Sequence, residues 1–387
     1  MDKTQSHKIV RETFEGIFNK DRFVYFCKNL LNTFDASRAS SAVIPIPTAY
    51  KDFISKYERV GTYTDPAKNR VDLLVVYLQR GTSLERARTA QRNFVARYLK
   101  EQNQRDAGLV AFVSPTSTDW RFSLVKMDYK FAETKGGRVK VEEEFTPARR
   151  WSFLVGENEN SHTAQGQLAP VVQEDEANPT LSELEDAFNI EKVTDEFFEK
   201  YRDLFLRTNE TLKNIVDESS IVKAEFVRKH VRTADFSKQL LGQIIFLYFL
   251  QKKGWFGVGR DAIWGSGPRN FIRQLFEGKH GNYNNFFNDI LEPLFYEALA
   301  KERDDDYYAR FNCKIPFLNG GLFDPVNDYD WIHADILLPD TLFSNSTKTA
   351  EGDSGDGILD IFDRYNFTVK EDEPLEREVA VDPEMLA

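Results

Sequence analysis

The sequence predicts an α/β domain followed by a mainly α-helical domain. At 387 residues the chain is long enough for two domains. Its 41% hydrophobic and 13% aromatic residues suffice for a large buried core and exclude a disordered chain. Within residues 71–129, a strand-like run, a helical segment and two further strand-like runs follow one another, an order typical of an α/β sandwich. Beyond residue 190 the apolar spacing is mostly helical.

The elements of the α/β domain follow from local apolar patterns. Residues 8–34 carry apolar side chains three and four positions apart, which predicts helices. Residues 71–78 form a continuous β-favouring run, as expected for a strand that is buried on both faces. A helix is predicted from Leu84 to about Glu101, with Ser83 as its N-cap. The further predicted strands are residues 108–113, 120–129 and 149–155.

Composition divides the rest of the chain. The α/β domain is assigned to residues 1–157. Residues 158–190 are polar and rich in Asn, Gln, Ser, Glu and Pro, which predicts a linker or a wrapping loop. A helical connector domain is assigned to residues 191–350, and residues 351–387 form an acidic terminal segment. The predicted helices of the connector are residues 197–214, 236–253, 270–278 and 286–301.

The net charge of −11 is unevenly distributed. Residues 351–387 hold twelve Asp and Glu against three Lys and Arg, a net charge of −9. Residues 51–150 hold twenty Lys and Arg against thirteen Asp and Glu, a net charge of +7. The acidic terminal segment therefore masks a basic region, which is compatible with a polyanionic partner such as DNA.

Cysteine usage and hydropathy indicate the setting of the protein. Cys27 and Cys313 are far apart in the sequence and show no paired spacing, so the sequence supports neither a disulfide framework nor a zinc site. The first eight residues lack the apolar core of a signal peptide. The longest apolar run, residues 240–250, is interrupted by polar positions and is shorter than the ~20 residues of a membrane span. We expect a reduced, cytoplasmic protein with no membrane partner.

Several arginines surround the start of the predicted helix at residues 84–101. Arg80 ends the preceding strand, Arg86 and Arg88 lie in the first turn, and Arg92 lies one turn after Arg88. Guanidinium groups held on a rigid helix match the oxygens of a DNA phosphate, so these four residues are candidate phosphate contacts. The alternative is a helix face that is merely solvated.

The order of strand, basic helix and strand resembles the core of the PD-(D/E)xK nuclease fold, a mixed sheet flanked by helices. In that fold an Asp and a Glu hold Mg²⁺, a Lys assists, and the metal activates water for attack on a phosphodiester. The resemblance implies Asp72 as the catalytic acid at the start of the central strand. Glu58 and Asp65, just upstream, are further candidate acids, and Asp72 with Asp65 would hold the metal.

This sequence departs from the nuclease pattern at its second motif. The E-x-K position reads Tyr77-Leu78-Gln79, so it offers Gln79 and no carboxylate. Two interpretations stay open. One is a Mg²⁺-dependent endonuclease that uses a displaced acid, and the other is a nuclease-like core without a working metal site.

Six segments together resemble type IIG restriction-modification enzymes, which take part in phage defence and carry an endonuclease and an adenine-specific DNA methyltransferase in one chain. The resemblance implies a nuclease-like domain, a helical connector, a methyltransferase domain and a target-recognition domain, of which this sequence holds the first two. The segments are residues 86–99, 150–164, 191–205, 241–256, 315–325 and 362–387.

The methyltransferase part of that layout has no counterpart here. The sequence contains no Asn-Pro-Pro-Tyr or Asn-Pro-Pro-Phe run to grip a flipped adenine. It also has no glycine-rich strand-to-helix loop for S-adenosylmethionine, which we expect only in the missing domain. The acidic segment 351–387 is then a lead-in to that domain. The implied partners are DNA and a methyltransferase or target-recognition subunit, and the second hypothesis is an inactive DNA-binding scaffold that docks such a subunit.

Overall fold

The computed structural model divides into two compact units. The first unit comprises Met1–Val193 and Lys370–Ala380, and the second comprises Thr194–Val369 and Val381–Ala387. The residues that the structure describes are 1–41, 45–85, 87–128, 148–318, 321–349, 353–367 and 375–381, with the backbone of 131–133 and 139–141.

The first unit alternates helices and strands. In chain order its elements are α1 (Lys3–Phe14), α2 (Lys20–Leu31), β1 (Ser40–Ser41), β2 (Ile54–Thr64), β3 (Arg70–Leu78), α3 (Arg88–Glu101), β4 (Ala107–Val113), β5 (Asp119–Met127), β6 (Phe131–Glu133), β7 (Val139–Val141), β8 (Ala148–Gly156), α4 (His162–Gln173) and α5 (Leu181–Asp186).

The second unit is mainly helical, and the chain afterwards returns to the first unit. The remaining elements are α6 (Ile190–Glu218), α7 (Ser220–Arg228), α8 (Thr233–Lys252), α9 (Phe271–Phe276), β9 (Tyr307–Tyr308), β10 (Cys313–Lys314), α10 (Asp340–Phe343), α11 (Ile358–Arg364) and β11 (Glu376–Glu378). Two π-helical segments, Phe287–Leu291 and Leu294–Leu299, precede β9. The prediction of an α/β domain followed by helices is therefore confirmed.

A seven-stranded mixed sheet forms the centre of the first unit. The strand order is β1-β2-β3-β4-β5-β8-β11. The pairs β3/β4 and β8/β11 are parallel, and the other neighbours are antiparallel. Helix α3 makes the crossover between β3 and β4, as a parallel pair requires. Because helices cover both faces of the sheet, β3 is a nearly continuous apolar run, as its sequence predicts.

The two faces of this sheet differ in chemistry. One face is aromatic: Phe14 of α1 and Phe26 of α2 pack on Trp120 and Phe122 of β5, with ring centroids 5.4 and 5.6 Å apart for the pairs Phe14–Trp120 and Phe26–Phe122. The other face, which we call the α3 face, is covered by α3. Its apolar half comprises buried residues of β3, β4 and α3, and they include Leu74, Val76, Phe112, Phe94 and Val95.

The predicted linker at residues 158–190 is wrong, because this segment contains α4 and α5. Leu168 and Val172 lie one turn apart on α4 and are fully buried, so the helix has an apolar face within a polar composition. Helix α5 begins with a capping box between Thr180 and Glu183. Periodicity, rather than overall polarity, was the informative signal here.

The predicted start of α3 also needs correction. The helix begins at Arg88, and Ala87 rather than Ser83 is its N-cap residue. Leu84 and Ala87 are buried as predicted, but they lie in the turn that precedes the helix. Within the part of the chain that the structure describes, no helix is long and apolar enough to span a membrane.

The terminal acidic segment is not a solvated lead-in where the structure describes it. Ile358, Leu359 and Phe362 of α11 are fully buried. Farther on, β11 joins the sheet beside β8, and its side chains Glu376 and Glu378 are only 1% and 7% exposed. Burying two carboxylates is costly unless cations compensate them, and this requirement points to the arginines of the α3 face.

Candidate functional site

Asp72, the predicted catalytic acid, lies inside the first unit. It is the third residue of β3 and lies on the α3 face, since side chains alternate along a strand and Leu74 and Val76 face α3. Its exposed fraction is 0%. The Tyr98 hydroxyl of α3 donates a hydrogen bond to its Oδ2 at 2.9 Å. The side chain is thus enclosed between the sheet and α3.

Two arginines balance the charge of this buried carboxylate. Arg105 Nε lies 3.1 Å from Asp72 Oδ1, and Arg59 Nη1 lies 3.9 Å from Oδ2. Burial raises the pKa of Asp72, and the opposing effects of Arg105, Tyr98 and Arg59 do not fully cancel it. The carboxylate therefore faces cations and a hydroxyl, an environment that suits a structural ion pair and opposes a second positive charge such as Mg²⁺.

Glu58 lies on the opposite face of the sheet from Asp72. Glu58 pairs with Val75 on β3, whereas Asp72 pairs with Thr62, so the two acids are also about 10 Å apart along the strands. Lys20 of α2 and Lys56 donate hydrogen bonds to the Glu58 carboxylate, the latter at 3.3 Å. The hydrogen bond from Lys20 is the main reason that the pKa of Glu58 is lowered.

Asp65 stabilises a turn and a helix start instead of joining Asp72. Its Oδ1 accepts a hydrogen bond from the Asn69 backbone N at 2.7 Å, within the turn from β2 to β3. Its Oδ2 accepts one from the Leu181 backbone N at 2.8 Å, at the first residue of α5. Burial works to raise the pKa of Asp65, but these hydrogen bonds outweigh it and the pKa lies below its usual value. Neutral donors thus hold this carboxylate in its ionised form.

The remaining predicted catalytic and phosphate-binding residues do not converge on Asp72 either. Gln79 Nε2 donates to the Lys51 carbonyl at 3.0 Å, which ties the end of β3 to the segment before β2. Arg80 is exposed beside it, and Arg86 lies outside the described residues. Among the residues that the structure describes, no group of three or more His, Cys, Asp or Glu side chains is arranged to hold a metal ion.

Arg88 and Arg92 point inward and bind a carboxylate of β11. Arg88 Nε lies 3.4 Å from Glu376 Oε2, and Arg92 Nη1 lies 3.2 Å from Glu376 Oε1. Their side chains are only 12% and 9% exposed. Arg88 and Arg92 therefore do not belong to a solvated helix face, which was one of the two interpretations of the sequence. They continue the inward stripe of Val95 and Leu99, because residues 88, 92, 95 and 99 are spaced four, three and four apart.

Two further arginines, which sequence reasoning did not select, complete this site. Arg121 of β5 and Arg150 of β8 are both on the α3 face and almost fully buried. Arg150 Nη2 donates to Glu376 Oε2 at 3.0 Å, directly across the parallel pair of β8 and β11. Arg121 Nη1 lies 3.3 Å from Glu378 Oε2. We call Arg88, Arg92, Arg121 and Arg150 the arginine cluster.

Polar side chains on α3 and in the preceding loop also form hydrogen bonds with the arginine cluster. Gln91 of α3 accepts a hydrogen bond from Arg150 Nη1 at 3.1 Å and donates one to the Leu84 carbonyl at 3.2 Å. Glu85 Oε1 accepts a hydrogen bond from Arg121 Nη2 at 2.5 Å. The sequence signal for this site was the presence of Arg121 and Arg150 within otherwise apolar strands, where a charge requires a partner.

The arginine cluster carries more positive charge than its carboxylates neutralise. Among the residues that the structure describes, four guanidinium groups face three carboxylates, those of Glu85, Glu376 and Glu378. Burial lowers the pKa of Arg150 to about 9, and the neighbouring arginines add to this effect against the pull of Glu376. For Arg121 the glutamates, with Glu378 foremost, outweigh burial and raise the pKa. The site would accommodate a further negative charge.

The arginine cluster also contains hydrogen-bond donors without acceptors. Within the described residues, four buried donor atoms of the cluster have no acceptor at hydrogen-bonding geometry, and Glu376 Oε1 likewise has no donor. The four donor atoms are Arg88 Nε, Arg92 Nη1, Arg121 Nε and Arg150 Nε. Buried donors of this kind are uncommon in folded proteins and require an explanation. Chemically, the arginine cluster is a buried cationic site whose guanidinium groups can donate more hydrogen bonds than the carboxylates of Glu85, Glu376 and Glu378 accept in this structure.

Comparison with known proteins gives no match: no family model, no curated protein and no solved structure resembles this chain significantly.

Proposed function

We propose that the first unit is a PD-(D/E)xK-like module of a type IIG restriction-modification system, and that it contacts DNA without cutting it. In this proposal the helical second unit docks a separate adenine-specific DNA methyltransferase, and the chain itself transfers no methyl group. The sequence β2, β3, α3, β4, with β3 and β4 parallel, supports the fold assignment because the nuclease core has the same order.

The ionic environment of Asp72 carries the proposal. A catalytic acid of this class must present free carboxylate oxygens to Mg²⁺ and to a phosphodiester. Asp72 is 0% exposed and contacts Tyr98, Arg59 and Arg105, while Glu58 and Asp65 are engaged elsewhere. This arrangement favours the non-catalytic interpretation over a Mg²⁺-dependent endonuclease. The arginine cluster and the basic region of residues 51–150 support a role on DNA.

A plasmid-nicking assay with Mg²⁺ tests the absence of cleavage, and titration of labelled duplex DNA tests binding. We expect salt-dependent binding and no nicking above background. The matched variants are Asp72→Asn and Asp128→Asn, since Asp128 is a partly exposed acid that pairs with Arg149 outside this site. Nicking that Asp72→Asn abolishes and Asp128→Asn preserves would replace the proposal with an active endonuclease. Absence of DNA binding at low salt would contradict the DNA-contacting role.

A further inference from the structure

Strand β11 inserts two carboxylates into a site whose chemistry suits a phosphate group. Glu376 faces three guanidinium groups, those of Arg88, Arg92 and Arg150, at distances of 3.4, 3.2 and 3.0 Å. A carboxylate presents its two oxygens in one plane, whereas the two non-bridging oxygens of a backbone phosphodiester project from a tetrahedral centre that arginines can approach from several directions.

We propose that the arginine cluster is a phosphate-binding site that β11 occupies in this structure, and that the phosphate backbone of a nucleic acid displaces β11 to reach it. The inference rests on the proposed function, since it names the site through which DNA is held. It adds that the site is closed by a segment of the same chain, so Glu376 and Glu378 act as competitors of the ligand.

The first support for this inference is that the arginine cluster has uncompensated positive charge and unfilled hydrogen-bond donors. Within the described part of the chain, one positive charge of the four arginines is left over after pairing with Glu85, Glu376 and Glu378. A phosphodiester that replaced β11 would remove two glutamate charges and bring its own oxygens to the unfilled donors Arg88 Nε, Arg121 Nε and Arg150 Nε. A run of adjacent phosphates along a strand would restore the lost negative charge.

The second support is that β11 is a short strand that pairs with the sheet along one edge. The strand has three residues, lies at the edge of the sheet and pairs with β8 alone. The hydrogen bonds at its two ends are Arg150 N to the Leu375 carbonyl, at 2.9 Å, and Val379 N to the Ser152 carbonyl, at 2.8 Å. An edge strand of this length can leave without breaking the sheet, because no strand among the described residues pairs on its far side.

The arginines would remain in place after β11 leaves. Arg150 keeps its hydrogen bond to Gln91, and Arg121 keeps its contact with Glu85, and both partners belong to α3 or the loop before it. Arg88 and Arg92 are fixed by α3, whose buried residues pack on the sheet. The site is thus preorganised by elements other than the one that closes it.

The release of β11 can be followed by hydrogen exchange on the unaltered full chain. We expect duplex DNA to increase exchange at the amides of residues 376–379, with exchange in β3 and β4 unchanged. Parallel samples contain inorganic phosphate or sodium chloride at equal ionic strength. Release by phosphate alone indicates a general phosphate site, and release by DNA alone indicates a site for the nucleic-acid backbone. DNA that binds at saturation while β11 stays protected overturns the inference and leaves the proposed function standing.

A charge-matched pair of variants provides the second readout. Glu376→Gln with Glu378→Gln removes the two competing charges, and Glu191→Gln with Glu199→Gln removes two charges from exposed positions of α6. Fluorescence anisotropy with duplex DNA should show binding about tenfold tighter or more for the first variant, and little change for the second. Circular dichroism establishes that each variant is folded.

The outcomes separate the two proposals. Equal or weaker DNA binding by the folded Glu376→Gln, Glu378→Gln variant contradicts competition by β11. Absence of DNA binding by both the unaltered chain and this variant contradicts the proposed function as well. Tight binding that appears only in the variant supports a site that β11 keeps closed. If the variant does not fold, the exchange experiment on the unaltered chain decides alone.

Discussion

Two buried ionic sites lie on the α3 face of the same sheet, and they differ in which charged group lies at the centre. At one site a single carboxylate, Asp72, is surrounded by Arg59 and Arg105. At the other, the arginine cluster surrounds the carboxylates of β11, and it extends to Glu85. Both sites have a surplus of positive charge, which opposes metal binding and favours an anion at each.

The two sites differ in how far along the chain their partners lie. The partners of Asp72 all come from residues 59–105, on adjoining strands and the helix between them. Arg150 and Glu376 are separated by 226 residues. The Asp72 site is therefore part of the local fold, whereas the arginine cluster ties the end of the described chain to the first unit. A long-range contact of this kind can be exchanged for an external ligand without rebuilding the local fold.

The largest expected effect is the loss of one buried arginine. Arg150→Ala would leave Glu376 buried with weaker compensation and should lower the free energy of unfolding by about 3–5 kcal/mol. Arg149→Ala is the matched control, because Arg149 is adjacent, partly exposed and paired with Asp128 on the other face, so about 0–1 kcal/mol is expected. Urea unfolding of both variants measures the difference. Equal losses would show that the arginine cluster contributes nothing special to stability.

The second expected effect is smaller, because the arginines that contact Asp72 can form hydrogen bonds with water after the substitution. Asp72→Asn keeps the side-chain shape but replaces one carboxylate oxygen by an amide nitrogen, which cannot accept a hydrogen bond from the arginine that faces it. Arg59 and Arg105 are already 15% and 14% exposed. We expect a loss of about 2 kcal/mol in the free energy of unfolding at neutral pH. A loss as large as that of Arg150→Ala would indicate that the two sites are equally enclosed.

The pH dependence of stability should distinguish Asp65, whose carboxylate accepts hydrogen bonds from neutral donors, from Asp72, whose pKa is governed by burial. The pKa of Asp65 is lowered in the folded protein, so its stabilisation is present above the unfolded pKa and is lost as pH falls through the folded value. The pKa of Asp72 is raised, so the folded state retains the proton longer and stability falls as pH rises between the unfolded and folded values.

Acid titration of the two asparagine variants tests these opposite signs. Between about pH 3 and 6, the stability of the unaltered chain relative to Asp65→Asn should rise with pH, and its stability relative to Asp72→Asn should fall. Chemical unfolding at a series of pH values measures both differences. The same sign for the two variants would contradict the environments described for these carboxylates.

Local patterns predicted most of the fold. The run at β3, the apolar positions of α3 and the helices of the second unit each depend on periodicity within one element, which a single sequence displays. The helices α4 and α5 were not predicted, because the polar composition of residues 158–190 indicated a loop, whereas the informative feature is the spacing of the apolar residues. The side of α3 that carries Arg88 and Arg92 was missed because a charged residue is normally exposed, although its spacing places it with Val95 and Leu99.

The site itself was less predictable from sequence. The resemblance to the nuclease fold implied Asp72, but the environment of Asp72 depends on Arg59 and Arg105, which no local pattern connects to it. The pairing of β11 with β8 joins residues more than 200 positions apart, and the register that sets Glu376 opposite Arg150 is a tertiary property. The acidity of residues 351–387 suggested solvation, whereas its informative part is two glutamates that compensate buried arginines.

The smallest expected effect lies at a neutral hydrogen bond between the two strands that carry Arg121 and Arg150. The hydroxyls of Ser123 on β5 and Ser152 on β8 are fully buried and 2.7 Å apart. Each single change to Ala should cost about 1 kcal/mol, because it leaves the other hydroxyl without this partner. The double change should cost no more than either single one, since both polar groups are then gone. A double-mutant cycle by urea unfolding measures the coupling, and strictly additive losses would mean that the hydroxyls also serve the neighbouring arginines.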